Sequence, residues 1–287
     1  MATIRNPLEW GADFLRQSGR YVNSVGHTLH GPDEAVRPDL LQVRSITVGD
    51  LREALAKGVD DFAACRTDVV FICLIYPLIG LVLARMVFQL ELLPLLFPIT
   101  SGFALLGPVA AVGLIEMSRR REQGKTVRWV DAFAAIGSPA FGAIVVLGIV
   151  QLVIFLLWLA AAQGIYDWTV GPAAPVSLGA FIDDVVTTEA GWIMIVAGIG
   201  VGFLFAVAVL TISVVSFPLL LDRNVGVVSA VATSVAAVAR NPLTMAVWGF
   251  IIAAALVIGS IPIFLGLIVI MPILGHATWH LYRRVVV

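Results

Sequence analysis

The sequence is short of charge. Only 13% of its 287 residues are Asp, Glu, Lys or Arg, while 60% are hydrophobic. A soluble domain of that composition has too little polar surface to face water, so the chain reads as a membrane protein. The net charge of −1 at pH 7 removes the basic field that nucleic-acid binding needs, and no nucleic-acid partner is expected. Cysteine is scarce: Cys65 precedes the first apolar run and Cys73 lies inside it, which makes a disulfide an unexpected pairing. There are four histidines, with no His-Glu-x-x-His and no Cys-x-x-Cys motif. The polar N-terminal stretch carries no apolar h-region, so no signal peptide is expected.

What the sequence has is long apolar runs. A helix needs ~20 apolar residues to cross the hydrocarbon. Six stretches qualify, at Val69–Phe88, Leu92–Met117, Pro139–Ala162, Trp192–Leu220, Leu243–Ile261 and Ile263–Leu281. The last two are joined only by GSIPIF, which predicts a tight hairpin. Lys and Arg are distributed asymmetrically between the spans. Of 18, all but Arg85 fall before the first span, in the SRRREQGKTVR segment, at Arg223 and Arg240, or after the last span. The opposite face has a long loop, QGIYDWTVGPAAPVSLGAFIDDVVTTEAG, with acids and no base. By the positive-inside rule both termini are cytoplasmic. The chain is expected in a bacterial inner membrane as an all-α, multi-pass protein.

A repeat runs through this layout. DDFAACRTD (60–68), VDAFAAIGSP (130–139) and TSVAAVARNP (233–242) each precede an odd-numbered span. Aligned on Phe62, Phe133 and Val235, each continues with Ala-Ala. Helix-start signals follow at Asp68, near Ser138 and at Asn241. The even-numbered spans each carry a proline before a basic end, in LLGPVAAVGLIEMSRR, VSFPLLLDR and VIMPILGHATWHLYRR. The expectation is three parallel two-helix units, about 46–123, 124–224 and 225–287, following a polar and partly disordered segment 1–45. Each unit opens with an amphipathic helix in the membrane interface. In the first, Leu51, Leu55, Val59 and Phe62 share a face, and Thr47 with Asp50 resembles a capping box. Parallel units disfavour the inverted repeats of common transporters.

Intramembrane ionisable groups are the usual pointer to function, and no Asp, Glu, Lys or His falls at a predicted midplane. The polar side chains there are neutral: Gln151 in the third span and Thr211 in the fourth, with Gln151 expected in an interhelical hydrogen bond. Gly198, Gly202 and Ala206 form a small-residue stripe for close helix packing. Prolines in the first two spans predict kinks.

The segment GHATWHLYRR holds His276 and His280 one helical turn apart, on the same side of a helix. A zinc ion there would need two further ligands. Glu116 is one candidate, since it follows Pro108 by the spacing that separates His280 from Pro272. His27 and His30, in HTLHGPD, are others. Haem is disfavoured, because two ligands one turn apart on one helix cannot take opposite faces of it. The plainer reading is an interfacial belt, with Trp279 and Tyr282 at headgroup level and Arg283 and Arg284 on phosphates, as with Arg119, Arg120 and Arg121. No cofactor is expected on that reading.

FALLGPVAAVGLIEMSRRREQG, FPLLLDR and PILGHATWHLYRR resemble the predicted bacterial integral membrane proteins grouped as domain of unknown function 2189, from about Ser45 onward. The resemblance implies a polytopic inner-membrane protein and no established activity. Some members carry a cytochrome c oxidase subunit label. A catalytic oxidase subunit needs several intramembrane histidines, which are missing here, so the label leaves at most an accessory place beside a respiratory-type complex. The layout is also similar to that of mitochondrial-type carriers, but Pro77 is followed by Leu-Ile-Gly and not by their acid and base.

Three functions follow as expectations. The first is a non-catalytic accessory, assembly or scaffold component that packs with membrane lipids, other membrane proteins or further copies of itself. The second is a small transporter or lipid-binding protein with a central crevice. The third is a metal-binding protein at the cytoplasmic face.

Overall fold

A computed structural model describes residues 41–86, 90–223, 225–262 and 264–287. His27, His30 and most of the expected N-terminal segment lie outside these. Among the described residues the structure is helical, with one isolated antiparallel bridge between Val43 and Val286. The helices are α1 (Val48–Cys73), α2 (Ile75–Met86), α3 (Leu93–Gly102), α4 (Gly107–Ala110), α5 (Val112–Glu122), α6 (Phe141–Thr169), α7 (Leu178–Thr187), α8 (Glu189–Ser213), α9 (Ser216–Asp222), α10 (Val227–Arg240), α11 (Pro242–Ser260) and α12 (Leu267–Val285). A 3-10 segment, Trp129–Gly137, precedes α6.

Four stretches are long and apolar enough to cross a membrane: Leu90–Glu122, Phe141–Thr169, Glu189–Asp222 and Pro242–Ser260. The other two expected spans are built differently. The first is split, because α1 runs from the amphipathic stretch into the apolar run and ends at Cys73, and α2 starts at Ile75. The helix start expected at Asp68 is therefore absent, and no proline forces one there. The last lies on α12, whose second half holds the polar HATWHLYRR and whose apolar part is correspondingly short.

The expected breaks at proline are present in the second span. Pro98 lies inside α3, a 3-10 turn Phe103–Leu106 follows, and Pro108 sits in the first turn of α4. Proline lacks the N–H an α-helix interior requires, so the chain is re-formed in short pieces. Trp158 on α6 donates its indole N–H to the Pro98 carbonyl at 2.9 Å, tying α6 to this stretch. Asn241 and Pro242 separate α10 from α11, as the Asn-Pro signal requires. The acidic segment expected as a long loop is largely helical. Helix α6 continues to Thr169, and α7 and α8 are capped by Ser177 and Thr188, whose hydroxyls accept from Ala180 N and Gly191 N at 3.1 and 3.0 Å. Ser and Thr are favoured at that position because they satisfy otherwise orphaned amides.

Packing is strongest at the basic end. Helix α1 lies along α12 over a longer contact than any other pair makes. Its buried face is Leu51, Ala54, Gly58, Asp61 and Cys65, a 3-4-3-4 ladder. This is rotated from the expected Leu51-Leu55-Val59-Phe62 face, and Val59 is exposed. The reason is size: a Cβ at Gly58 would fall 2.7 Å from the Ile273 carbonyl oxygen and 2.8 Å from Ala277 Cβ. Only a small-residue ridge lets the two backbones approach so closely. Helix α5 also packs on Trp129–Gly137, and α9 on α10.

The segment before α1 is clamped from two sides. Arg44 N donates to the Val285 carbonyl at 2.8 Å and Val287 N to the Gln42 carbonyl at 3.1 Å. Asn241 accepts from Ile46 N at 2.7 Å and donates to the Arg44 carbonyl at 2.9 Å. The expected capping box is present, with Thr47 N donating to Asp50 Oδ2 at 2.8 Å and Asp50 N to Thr47 Oγ at 3.4 Å.

Candidate functional site

The ladder on α1 carries one acid into the interior. Asp61 is 6% exposed. Opposite it, α12 presents His276 and His280, and α5 presents Ser118 and Arg121. The Ser118 hydroxyl donates to Asp61 Oδ2 at 2.6 Å, and His280 Nε2 lies 2.8 Å from the same oxygen. Arg121 pairs with Asp61 Oδ1. Ser118 Oγ also lies 2.8 Å from His276 Nδ1.

These contacts fix roles. A hydroxyl has one hydrogen. With it committed to Asp61, Ser118 accepts from His276, so His276 carries its hydrogen on Nδ1. Its Nε2 is buried without a hydrogen-bond partner among the described residues. His280 donates through Nε2. Burial opposes ionisation of Asp61, but hydrogen bonds from His280 and Ser118 outweigh it and hold the carboxyl below its usual range.

The site therefore answers what the histidine pair does. The two rings reach one carboxylate, one directly and one through a serine. Glu116 does not join them. It is 2% exposed and is taken by its own helix, accepting from Arg119 Nε at 2.7 Å and Arg120 Nε at 2.8 Å. Among the described residues, no three His, Cys, Asp or Glu side chains are arranged to hold a metal ion. Ser118 and Asp61 were the partners to look for. The signal was the α1 ladder itself, since Asp61 is the next rung after Gly58.

The residues expected as an interfacial belt are placed inside. Trp279 and Tyr282 are 1% and 0% exposed. Trp279 donates to Glu122 at 2.8 Å and Tyr282 to Asp222 at 2.7 Å. The arginines meet protein carboxylates. Arg120 reaches Asp131 at 2.8 Å, Arg283 reaches Glu122 at 3.2 Å, and Arg284 reaches Asp50 at 3.2 Å and also pairs with Glu53. Arg283 additionally lies over the Trp279 ring, 5.9 Å from its centroid. Asp50 is held below its ordinary range, chiefly by hydrogen bonds from Thr47.

The neutral intramembrane residues also find definite places. Gln151 is fully buried, and neither its amide nitrogen nor its oxygen has a hydrogen-bond partner among the described residues. The carbonyl of Thr211 accepts from Ser234 at 2.7 Å, which joins α8 to α10. Of the small-residue stripe on α8, a Cβ at Gly202 would fall 3.0 Å from the Trp158 ring, while nothing lies within 4 Å of one at Gly198. Ala206 is exposed.

The comparisons agree with this membrane architecture. A family model described as predicted integral membrane protein (DUF2189) matches residues 96–222. That range holds the first two motifs of the resemblance almost whole and leaves out the third, PILGHATWHLYRR, so the match is narrower than Ser45 onward. No curated protein and no solved structure matches the chain. Residues 96–222, which supply Ser118, Arg121, Glu122 and Asp222 to this cluster, are thus similar to the DUF2189 family of predicted integral membrane proteins.

Proposed function

We propose that this protein is a non-catalytic accessory or scaffold component of a bacterial inner membrane, crossing it six times with both termini in the cytoplasm. The observation that carries the reading is α8. Only 6% of its apolar span is buried within the chain, against 22–29% for the other three candidate spans. Trp192, Val196, Ile199 and Phe203 stand exposed along it, and Gly198 leaves room for close approach by another helix. A helix so little used inside the chain suits packing against a second membrane protein. The polar groups at the other end are committed to one another, which supports a structural role for the His276–Ser118–Asp61–His280 cluster.

The packing supports a closed threefold layout as well. Each return helix, α5, α9 and α12, leans on the amphipathic segment that opens the following unit, and the third leans on the first. The Val43–Val286 bridge keeps the start of the described chain beside its C-terminal end, which supports a shared cytoplasmic face.

The test is purification of the full chain in a mild detergent, with Gly198→Cys cross-linking in native membranes. The expected result is one or a few recurrent membrane-protein partners, cross-linked through α8. A chain recovered alone and uncross-linked from α8 would remove the accessory reading.

A further inference from the structure

We infer that the chain holds one anionic glycerophospholipid in a lateral groove between α5, α6 and the 3-10 segment. The groove has a volume of about 360 Å³ and is walled by Val109, Phe133, Ile136, Val145, Gly148 and Leu152, among other apolar residues. Neither Gln151 nor Thr211 lines it, so this is a side-facing slot and not the central crevice of a transporter.

Its shape fits one acyl chain. The α6 residues Phe141, Val145, Gly148 and Leu152 share a helical face, and from first to last they span ~16 Å at 1.5 Å per residue. That is about half of the ~30 Å hydrocarbon thickness, the depth of one leaflet. Phe133 and Ile136 are 53% and 58% exposed at the polar end of the slot, as expected of side chains that enter lipid.

Charge sets the headgroup. The loop leading into the 3-10 segment carries Lys125 and Arg128, both exposed. In that region Arg119, Arg120 and Arg121 pair with Glu116, Asp131 and Asp61, whereas neither Lys125 nor Arg128 has an ion-pair partner among the described residues. The neighbouring acid, Asp131, is already neutralised by Arg120. Ala132, the first groove residue of the 3-10 segment, follows Arg128 by four positions, ~8 Å at 2.0 Å per residue. Two cations without ion pairs thus lie on the loop that leads directly into an apolar slot one leaflet deep, the arrangement that a phosphate with its acyl chain fills. Beside them Arg223, Arg283 and Arg284 are each paired with a carboxylate.

Gly148 makes the inference testable without unfolding the protein. A Cβ there would lie 3.7 Å from Val109 Cγ1, an ordinary contact, so Gly148→Ala leaves the slot open and Gly148→Leu fills it. The experiment titrates delipidated full-length protein in detergent with dioleoyl phosphatidylglycerol or dioleoyl phosphatidylcholine and counts bound lipid by native mass spectrometry. The expected result is one tightly held phosphatidylglycerol, at least tenfold weaker phosphatidylcholine binding, and a Gly148→Ala protein that behaves as wild type. Gly148→Leu is expected to lose at least tenfold in affinity with its melting temperature unchanged, and Lys125→Gln/Arg128→Gln several-fold, for phosphatidylglycerol only. Equal binding of the two lipids, full retention by Gly148→Leu, or a polypeptide cross-linked into the slot at Phe133→Cys would each overturn it.

Discussion

The α1–α12 pair and helix α8 show two ways in which a helix can belong to a membrane protein. On α1, almost every rung of the packed face is small, polar or charged, and almost every polar group has a named partner. On α8, the outward surface is large and apolar and touches little of its own chain. The first arrangement is specified by contacts within the sequence. The second is left to what lies outside the chain, lipid or a neighbouring membrane helix. Mutational sensitivity should therefore be concentrated at the polar end.

The largest expected effect breaks that end at its centre. Asp61→Ala would leave Arg121, His280 and Ser118 facing an empty position. Loss of one partner from a buried ion pair costs ~3–5 kcal/mol, and the partial exposure of Arg121 places this variant near the lower figure. A fall in apparent melting temperature, followed by scanning fluorimetry in detergent, checks it. Next comes Gly58→Leu, which overpacks the α1–α12 contact, at ~1–3 kcal/mol by the same assay. If either change proved silent, the contrast between the two regions would fail.

pH sharpens the same comparison. The Asp61 pKa in the folded protein lies below that of the unfolded chain. Its stabilising contribution is therefore complete above the unfolded value of ~3.9 and is lost as pH falls through the lower folded value. The wild-type protein should lose stability below pH ~4 more steeply than Asp61→Asn, measured by thermal unfolding across a pH series.

Smaller effects test the details. Tyr282→Phe removes the hydrogen bond to Asp222 and should destabilise by ~1.5 kcal/mol, the low end for a bond to a charged group. Gln151→Leu should act in the opposite direction. It replaces a buried amide lacking hydrogen-bond partners with an apolar side chain of similar size, for a gain of ~1 kcal/mol in thermal stability. On α8, Val196→Ala should fall within ~0.5 kcal/mol in detergent, because the side chain is exposed.

Legible in the sequence were the membrane class, four of the six expected spans as stretches long and apolar enough to cross, and the breaks at Pro98, Pro108 and Asn241–Pro242. These are local properties, set by hydropathy and by the missing proline N–H. It misplaced the α1 face and the surroundings of GHATWHLYRR for one shared reason. Hydropathy ranks Leu55 and Val59 above Gly58 and Asp61, but helix contact depends on how closely backbones approach. Nor can charge counting alone distinguish an arginine on a lipid phosphate from one on a distant carboxylate, because both lie at the interface. Glu122 and Asp222 are close to the motif only after folding.

The closure of α1 on α12 also has a consequence for synthesis. Asp61 and His280 are 219 positions apart in the chain. At ~5–20 residues per second, a ribosome needs roughly 10–40 s to make the partner after the acid has emerged. For that interval α1 is a finished helix with a bare small-residue ridge, and its carboxylate has only Ser118 and Arg121 of α5 to meet. Something in the nascent membrane environment must hold it until the last helix arrives, and a chain truncated before α12 would display that ridge permanently to the cell's quality-control proteases.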